Sequence, residues 1–299
     1  MRYRINMCYD GAAFCGWQIQ PNEPSVQETL EKALGTLLRS RVPVTGAGRT
    51  DTGVSASYYV AHFDYDGPVP SSLAAAVNAD SPAAAVETAC PSVAAVSDIL
   101  DCNQLRYKLN AILPPTVAIL NIAPAATEFH ARFDAVMRRY TYYLHRAKNP
   151  FVDHCSYFYA YPEVDFDAMN RAAAHLLGTH DYSCFEKSGG DNKTSVCTVF
   201  SAHWEPYSPE LCVSHESESP VYWRFTIEAD RFLRNMVRAI VGTLLEVGRG
   251  RRSEEEFATL ILPVNEEPGA VPEKGPSRRS EAGESVPGHA LFLSGIEYP

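Results

Sequence analysis

The chain has 299 residues, of which 45% are hydrophobic and 21% charged, and its net charge is -10; this composition is typical of a globular protein with one large or two modest domains. The charged N-terminal stretch and the short apolar runs argue against a signal peptide and a membrane span, so we expect a cytoplasmic protein. The eight cysteines include no CxxC pair, so we expect reduced thiols rather than disulfides or a zinc site.

The first hundred residues predict a mixture of strands and helix. The alternation in RYRINMCYD indicates a strand, and residues 25–40 carry the apolar stripe of an amphipathic helix, with Ser25 and Glu28 as a capping box. A short strand follows, then the glycine-rich stretch GAGRTDTG, and then SYYVAHFD as another strand. Residues 66–101 are rich in Ala, Ser and Pro, and we interpret them as a partly helical insertion.

The remainder of the chain repeats this mixture. We predict helices at residues 104–113, 165–177 (ended by Gly178), 232–247 and after Ser253, and strands at residues 116–122, 137–145, 195–204, 221–229 and in HALFLSGIEY. The strands at 195–204 and 221–229 should be antiparallel neighbours across a polar loop at 205–220. Residues 264–286 are rich in Pro, Gly, Glu, Ser and Arg, which predicts a flexible polar segment.

Strands and helices alternate without a regular βαβ order, which favours an α+β fold with a largely antiparallel central sheet and flanking helices. We expect two similar α+β halves, the first at residues 1–110 with the GAGRTD loop. The second, at residues 111–299, would carry the tyrosine-rich strand, the arginine-bearing helix and the flexible segment at 264–286.

The loop GAGRTDTG is the first candidate for chemistry. It lacks the third glycine of a dinucleotide fingerprint and the GK[ST] of a phosphate loop. Its glycines allow a large ligand to approach the backbone, and the carboxylate of Asp51 could serve as a nucleophile or a base. The alternative, which the octapeptide alone favours, is a tight turn in which Arg49 and Asp51 form a structural pair.

The net negative charge argues against a nucleic-acid partner at first sight, but the basic residues are clustered. One basic run includes Arg132, Arg138 and Arg139 and continues into the strand RRYTYYLHR. Tyr140 interleaved with arginines suits a surface that stacks bases and binds phosphates. The alternatives are a solvated basic face and a tyrosine that belongs to the core of a half-buried strand.

The second basic run accompanies the predicted helix at residues 232–247. Arg231, Arg234 and Arg238 are spaced at i, i+3 and i+7, so on a continuous helix they would share one face. Arg231 and Arg234 could contact phosphate or lie along the core with their charged heads in water. Arg238, deeper in the helix, could do the same or pair with a carboxylate from another element.

Several of these motifs together resemble the TruA-type tRNA pseudouridine synthases. The resemblance rests on GAGRTDTGV, FHARFDA, RRYTYYL and FLRNMVRAIVGTLLEVG, with YDGAAFCGWQ near the start and HALFLSGIEYP at the end. The motifs occur in the family's order along nearly the whole chain. The resemblance implies an isomerase that breaks the N-glycosidic bond of a uridine and rejoins the ring through carbon, without cofactor or metal.

The resemblance also implies roles for individual residues. Asp51 matches the family's catalytic aspartate, Tyr140 the tyrosine that stacks on the target uracil, and Arg238 the arginine that pairs with the aspartate. Arg49 matches a loop arginine implicated in extruding the target nucleotide. The implied substrates are uridines at positions 38, 39 and 40 in the anticodon stem-loop of tRNAs, and the implied assembly is a homodimer. We further assign tRNA contacts to Arg132, Arg138, Arg139, Arg231 and Arg234.

The chain departs from the family pattern at Ser55, where the family usually has His, and in the lengths of the segments at 66–101 and 264–286. We expect neither segment to touch the catalytic residues. Two other functions remain open. One is a non-catalytic RNA-binding protein with the same fold, and the other is a hydrolase of a small phosphorylated substrate that uses Asp51. The hydrolase should need a divalent metal, and a single loop carboxylate argues against that.

Overall fold

The computed structural model describes residues 1–75, 99–189, 193–210, 220–264 and 278–299. The strands are β1 (Arg2–Tyr9), β2 (Val44–Gly46), β3 (Ser55–Asp64), β4 (Val117–Ala125), β5 (Met137–His145), β6 (Tyr157–Phe158), β7 (Gly178–Asp181), β8 (Val196–Pro206), β9 (Tyr222–Ala229) and β10 (Leu291–Glu297). The helices are α1 (Val26–Leu38), α2 (Cys102–Ile112), α3 (Phe166–Ala174), α4 (Met236–Gly248) and α5 (Glu254–Ala258). This mixed content confirms the predicted α+β class.

The strands form one sheet in the order β4-β1-β3-β10-β5-β9-β8-β7, with β2 beside β3 and β6 beside β5. Neighbours are antiparallel except for two pairs, β10 with β3 and β5 with β6. The prediction of a largely antiparallel sheet, with β8 and β9 as neighbours, is therefore confirmed. The last strand in sequence lies in the middle of the sheet, where it joins the strands of the N-terminal part to the others.

Two clusters of buried residues underlie the sheet. The first contains the apolar faces of α1 and α2 with residues of β1 and β3. The second contains those of α3, α4 and α5 with residues of β5, β8 and β9. Tyr140 of β5 is partly buried and packs against both clusters, so it stands where they meet. The division into halves at residues 110 and 111 stays a prediction.

The helix predicted at residues 232–247 begins only at Met236, which corrects the prediction. Its N-cap, Asn235, has a left-handed backbone with φ of 63°, so the helix cannot extend backward through it. Phe232 is partly buried and Leu233 is buried in the second cluster, and this continued apolar spacing mimicked a helix. Arg231 and Arg234 therefore do not share a helix face with Arg238.

Two smaller predictions also need correction, and a third is confirmed. Helix α3 ends at Ala174 with His175 as its C-cap, and Gly178, with φ of 102°, begins β7 instead. Ser25 caps α1 by accepting the backbone N–H of Glu28, but the Glu28 side chain pairs with Lys32 at 2.7 Å, so only half of the predicted box forms. The capping box after Ser253 is complete.

Parts of three predicted segments lie outside the described residues. These are residues 76–98 of the insertion at 66–101, residues 211–219 of the loop at 205–220, and residues 265–277 of the segment at 264–286. Residues 278–286 are described, and the prediction that this part of the segment is flexible stays a prediction. They include a short 3-10 helix and end at the buried Val286.

Candidate active site around Asp51

The loop at residues 46–53 lies directly against the turn that follows β1. A Cβ at Gly16 would be 2.3 Å from the carbonyl oxygen of Thr50, and Gly16 has φ of 95°. The same carbonyl accepts the backbone N–H of Trp17 at 3.3 Å. The Thr50 hydroxyl is 2.9 Å from the hydroxyl of Tyr9, which is buried. The residue before Asp51 is thus fixed by its backbone and its side chain.

The beginning of the loop is packed just as closely. A Cβ at Gly46 would be 2.2 Å from the Tyr59 hydroxyl, which donates to the carbonyl oxygen of Gly48. The ring of Tyr59 stacks on Trp17, with centroids 4.2 Å apart. A Cβ at Gly48, in contrast, would meet nothing within 4 Å. The glycine at 46 is required by packing, whereas the one at 48 borders open space.

Arg238 of α4 faces the carboxylate of Asp51. Its Nη1 is 3.9 Å from Asp51 Oδ2, and both side chains are partly buried, with 22% and 29% of their surface exposed. The Nε of Arg238 donates to the carbonyl oxygen of Val286 at 2.7 Å, and the Val286 N–H donates back to the Arg238 carbonyl at 3.2 Å. The guanidinium is therefore held in place while its other end carries positive charge toward the carboxylate.

The segment that holds Arg238 packs tightly on α4. A Cβ at Gly242 would be 1.8 Å from the carbonyl oxygen of Glu284, so only glycine allows this approach. The N–H of Gly283 donates to the Thr243 hydroxyl at 3.0 Å. The expectation that residues 264–286 stay away from the catalytic candidates is therefore wrong for the C-terminal end of that segment, because Val286 binds Arg238 directly.

Tyr140 completes the group from the centre of the sheet. It lies opposite Leu293 of β10 and Ile227 of β9, and Phe232 meets its ring edge-on with centroids 5.0 Å apart. Burial raises the pKa of the Tyr140 phenol well above its usual range, and the negative charge of Asp51 raises this pKa further. The phenol is thus neutral at physiological pH and close enough to Asp51 to sense its charge.

Arg138 shares the Tyr140 face of β5 but binds backbone groups. Its Nη1 donates to the carbonyl oxygens of Ala135 at 3.0 Å and Asp230 at 2.7 Å, and its Nη2 to those of Ala47 at 3.3 Å and Arg132 at 2.6 Å. Burial lowers the pKa of this guanidinium. Arg138 therefore ties the Asp51 loop to two other segments of the chain.

The other arginines assigned to RNA occupy different surroundings. Arg139 lies on the opposite face of β5 and donates to Glu228 at 2.5 Å. Arg132 and Arg49 are exposed, and Arg49 is two residues from Asp51. The structure thus leaves Arg49 and Arg132 accessible near the loop and turns Arg139 away from Tyr140.

Arg231 and Arg234 lie in the non-helical segment before α4. Arg231 donates to the carbonyl oxygen of Thr194 at 3.0 Å. Arg234 is exposed and donates to the carbonyl oxygen of Ser188 at 3.2 Å. These contacts tie the segment to Thr194 and Ser188, and the RNA contacts assigned to Arg231 and Arg234 stay predictions.

Comparison with known proteins identifies the family. A family model described as tRNA pseudouridine synthase matches residues 172–299. The tRNA pseudouridine synthase A of Bacteroides fragilis is 41% identical over 298 residues, covering 100% of this chain and 96% of that protein. The chain belongs to the tRNA pseudouridine synthase family. Pseudouridine synthases are isomerases, so this chain is an isomerase. The tRNA pseudouridine synthase A of Bacillus subtilis is 32% identical over 302 residues, which cover 100% of this chain and 99% of the Bacillus protein.

Sequence reasoning missed two neighbours of the group. Phe232 was assigned to a helix stripe, although it is the aromatic residue against Tyr140. Val286 was placed in a flexible segment, although its carbonyl holds Arg238. The motif FLRN directly before a helix could have indicated the first, but an isolated valine in a polar segment gives no signal.

Ser55, the departure from the family pattern, serves a structural contact. Its buried side chain accepts the backbone N–H of Gly11 at 3.0 Å. It also lines a cavity of about 320 Å³ together with Cys8, His154 and Phe292. Because Phe292 pairs with Ser55 and neighbours Leu293, which is opposite Tyr140, this cavity lies on the other face of the sheet from Tyr140.

Proposed function

We propose that this chain converts uridine to pseudouridine at positions 38, 39 and 40 in the anticodon stem-loop of tRNAs, with Asp51 as the catalytic carboxylate. The observation that carries the proposal is the pairing of Asp51 with Arg238 beside the neutral phenol of Tyr140. These three groups come from distant parts of a chain that is 41% identical to a tRNA pseudouridine synthase A over its whole length.

The proposed reaction is an isomerisation. The bond between N1 of the uracil and the sugar breaks, and a bond from C5 of the same ring to that sugar carbon forms. C5 loses a proton and N1 gains one, so no atom is added or lost. Asp51 would act on the sugar or the ring, Arg238 would orient the carboxylate, and Tyr140 would stack on the uracil.

A uridine in a stem is inaccessible while it is stacked and paired. It must be flipped out, at a cost of about a few kcal/mol, and contacts to the phosphates can offset that cost. We assign these contacts to Arg132, Arg231 and Arg234, and the extrusion of the nucleotide to Arg49. A homodimer in the cytoplasm would supply the basic surfaces twice along one tRNA.

The test is incubation of the purified protein with unmodified tRNA transcripts, followed by carbodiimide mapping of pseudouridine. We expect modification in the anticodon arm for the wild-type protein. We expect Asp51→Ala and Asp51→Asn to lower the rate at least about 10³-fold while tRNA binding stays nearly unchanged. Thr52→Ala, which changes the exposed neighbouring residue, is the matched control.

Two results would contradict the proposal. A folded wild-type protein that binds tRNA and leaves every uridine unchanged would favour the alternative of a non-catalytic RNA-binding protein. An Asp51→Asn variant that loses binding as strongly as turnover would make Asp51 a structural residue of the loop.

A further inference from the structure

An aromatic ring stands at the apex of a closed turn at residues 130–134. Phe133 is 74% exposed, the highest fraction among the exposed large hydrophobic side chains in the described part of the chain. Single exposed aromatic rings are common on protein surfaces, but the backbone around this one is unusually well fixed.

The turn is closed by four hydrogen bonds. The N–H of His130 donates to Asp134 Oδ2 at 2.8 Å, and the N–H of Asp134 donates to the carbonyl oxygen of His130 at 3.1 Å. His130 Nδ1 accepts the N–H groups of Arg132 and Phe133, both at 3.2 Å. The imidazole also stacks on the Phe133 ring, with centroids 4.3 Å apart and 30° between the planes. The ring is thus oriented before any ligand binds, which lowers the entropy lost on binding.

The turn is attached to the Asp51 loop. Nη2 of Arg138 donates both to the carbonyl oxygen of Arg132 and to that of Ala47, four residues before Asp51. Buried His62 of β3 accepts the N–H of Ala131 at 3.1 Å. The Arg138 guanidinium therefore places the turn next to the Asp51 loop.

An arginine lies beside the ring. The guanidinium carbon of Arg132 is 5.7 Å from the ring centroid, and the Arg132 side chain is exposed. An aromatic ring beside an arginine is the combination that binds unpaired nucleotides, because the ring stacks on the base and the cation neutralises the phosphate. A purely apolar partner would not make use of this charge.

We propose that Phe133 is a stacking residue for an unpaired base of the tRNA, next to the nucleotide that enters the Asp51 site. Arg132 contacts the phosphate that adjoins this base. This inference rests on the proposed function, since it takes tRNA as the ligand and places its unpaired base beside the Asp51 loop.

The experiment measures tRNA affinity by fluorescence anisotropy at several salt concentrations for wild type, Phe133→Ala, Phe133→Leu and Phe133→Trp. Stacking on an aromatic ring should be lost in the Ala and Leu variants, which weakens binding about tenfold, and kept within about twofold in the Trp variant. Phe200→Ala is the matched control, because Phe200 is also exposed, at 52%, but belongs to β8. Its affinity should equal that of the wild type.

The salt dependence separates the ring from its basic neighbour. Phe133→Ala removes no charge, so the slope of log affinity against log salt should stay the same. Arg132→Gln should reduce that slope by about one phosphate contact. Equal binding by Phe133→Leu and wild type would overturn the stacking role. Normal tRNA binding by Phe133→Ala would also overturn it. A change in the sedimentation of the tRNA-free protein in Phe133→Ala would do the same, because it would indicate that Phe133 lies in a contact between copies of the chain.

The failure of this inference differs from that of the proposed function. If wild type forms pseudouridine and Phe133→Ala binds tRNA normally, only the stacking role fails. If wild type binds tRNA with the expected effect of Phe133 and forms no pseudouridine, the stacking role stands and the proposed reaction fails.

Discussion

Two arginines reach the Asp51 loop from different elements, and they do different things there. Arg138 of β5 uses four of the five N–H donors of its guanidinium on backbone carbonyls. Arg238 of α4 gives its Nε to one carbonyl and presents Nη1 to the carboxylate of Asp51. Arg138 fixes the position of the loop, and Arg238 places a positive charge next to the carboxylate of Asp51.

Of the two arginines, Arg238 should have the larger effect on the reaction. In Arg238→Gln we expect the single-turnover rate of pseudouridine formation to fall by about 10²- to 10³-fold, because a preorganised charge near the proposed catalytic carboxylate is lost. The dissociation constant for tRNA should change little. Arg238→Lys keeps the charge and should recover part of the rate. Arg224→Gln, which removes a guanidinium paired with Glu205 on β8, is the control. A Gln variant with unchanged turnover would mean that the pair with Asp51 has no part in the reaction.

Arg138→Met should act mainly on stability. The substitution keeps an apolar stem but leaves up to four carbonyls without their donor, so we expect the free energy of unfolding to fall by about 3 kcal/mol. Urea denaturation measures this change. Arg139→Met, on the other face of β5, should cost much less, because it breaks a partly exposed ion pair with Glu228.

The same variant also tests whether Arg138 contacts RNA. If its guanidinium is fully occupied by the protein, the salt dependence of tRNA binding in Arg138→Met should match that of the wild type. A slope of log affinity against log salt that is reduced by about one would instead support the predicted phosphate contact of Arg138. Arg138 would then not be a purely structural residue.

The smallest expected effect concerns His62, which holds the turn that Arg138 also binds. Burial lowers the pKa of His62 to about 4, and the charge of Arg2 contributes. The unfolded chain binds the proton more readily than the folded one, so His62 stabilises the fold above pH 6.5 and this stability is lost as the pH falls toward 4. Between pH 7 and pH 5 the loss should be about 2 kcal/mol.

This pH-dependent loss is measured as the free energy of unfolding of wild type and His62→Gln at pH 7 and at pH 5. The wild type should lose about 2 kcal/mol more than the variant on going to pH 5. His203→Gln, which changes an exposed histidine, should behave like the wild type. Parallel pH dependence in all three proteins would show that His62 is not buried in its neutral form.

Periodicity predicted the regular elements well and failed where the backbone changes direction. Strand β5 was predicted with the residues it has, because alternation along a half-buried strand is a local property. The start of α4 was wrong because Phe232 and Leu233 are apolar at helical spacing without being helical. Asn235, which separates these two residues from the helix, has a left-handed backbone that a hydrophobic pattern cannot predict.

The sequence by itself determined the class of the fold, most of its elements and the family, because composition, periodicity and ordered motifs are properties of the chain alone. It also pointed to Asp51, Tyr140 and Arg238 as a group. Only the tertiary structure decided that the last strand lies between β3 and β5, that Val286 holds Arg238 and that Arg138 binds four carbonyls. These contacts join residues far apart in the chain, and their partners are mostly backbone groups, which every residue type carries and no motif can identify.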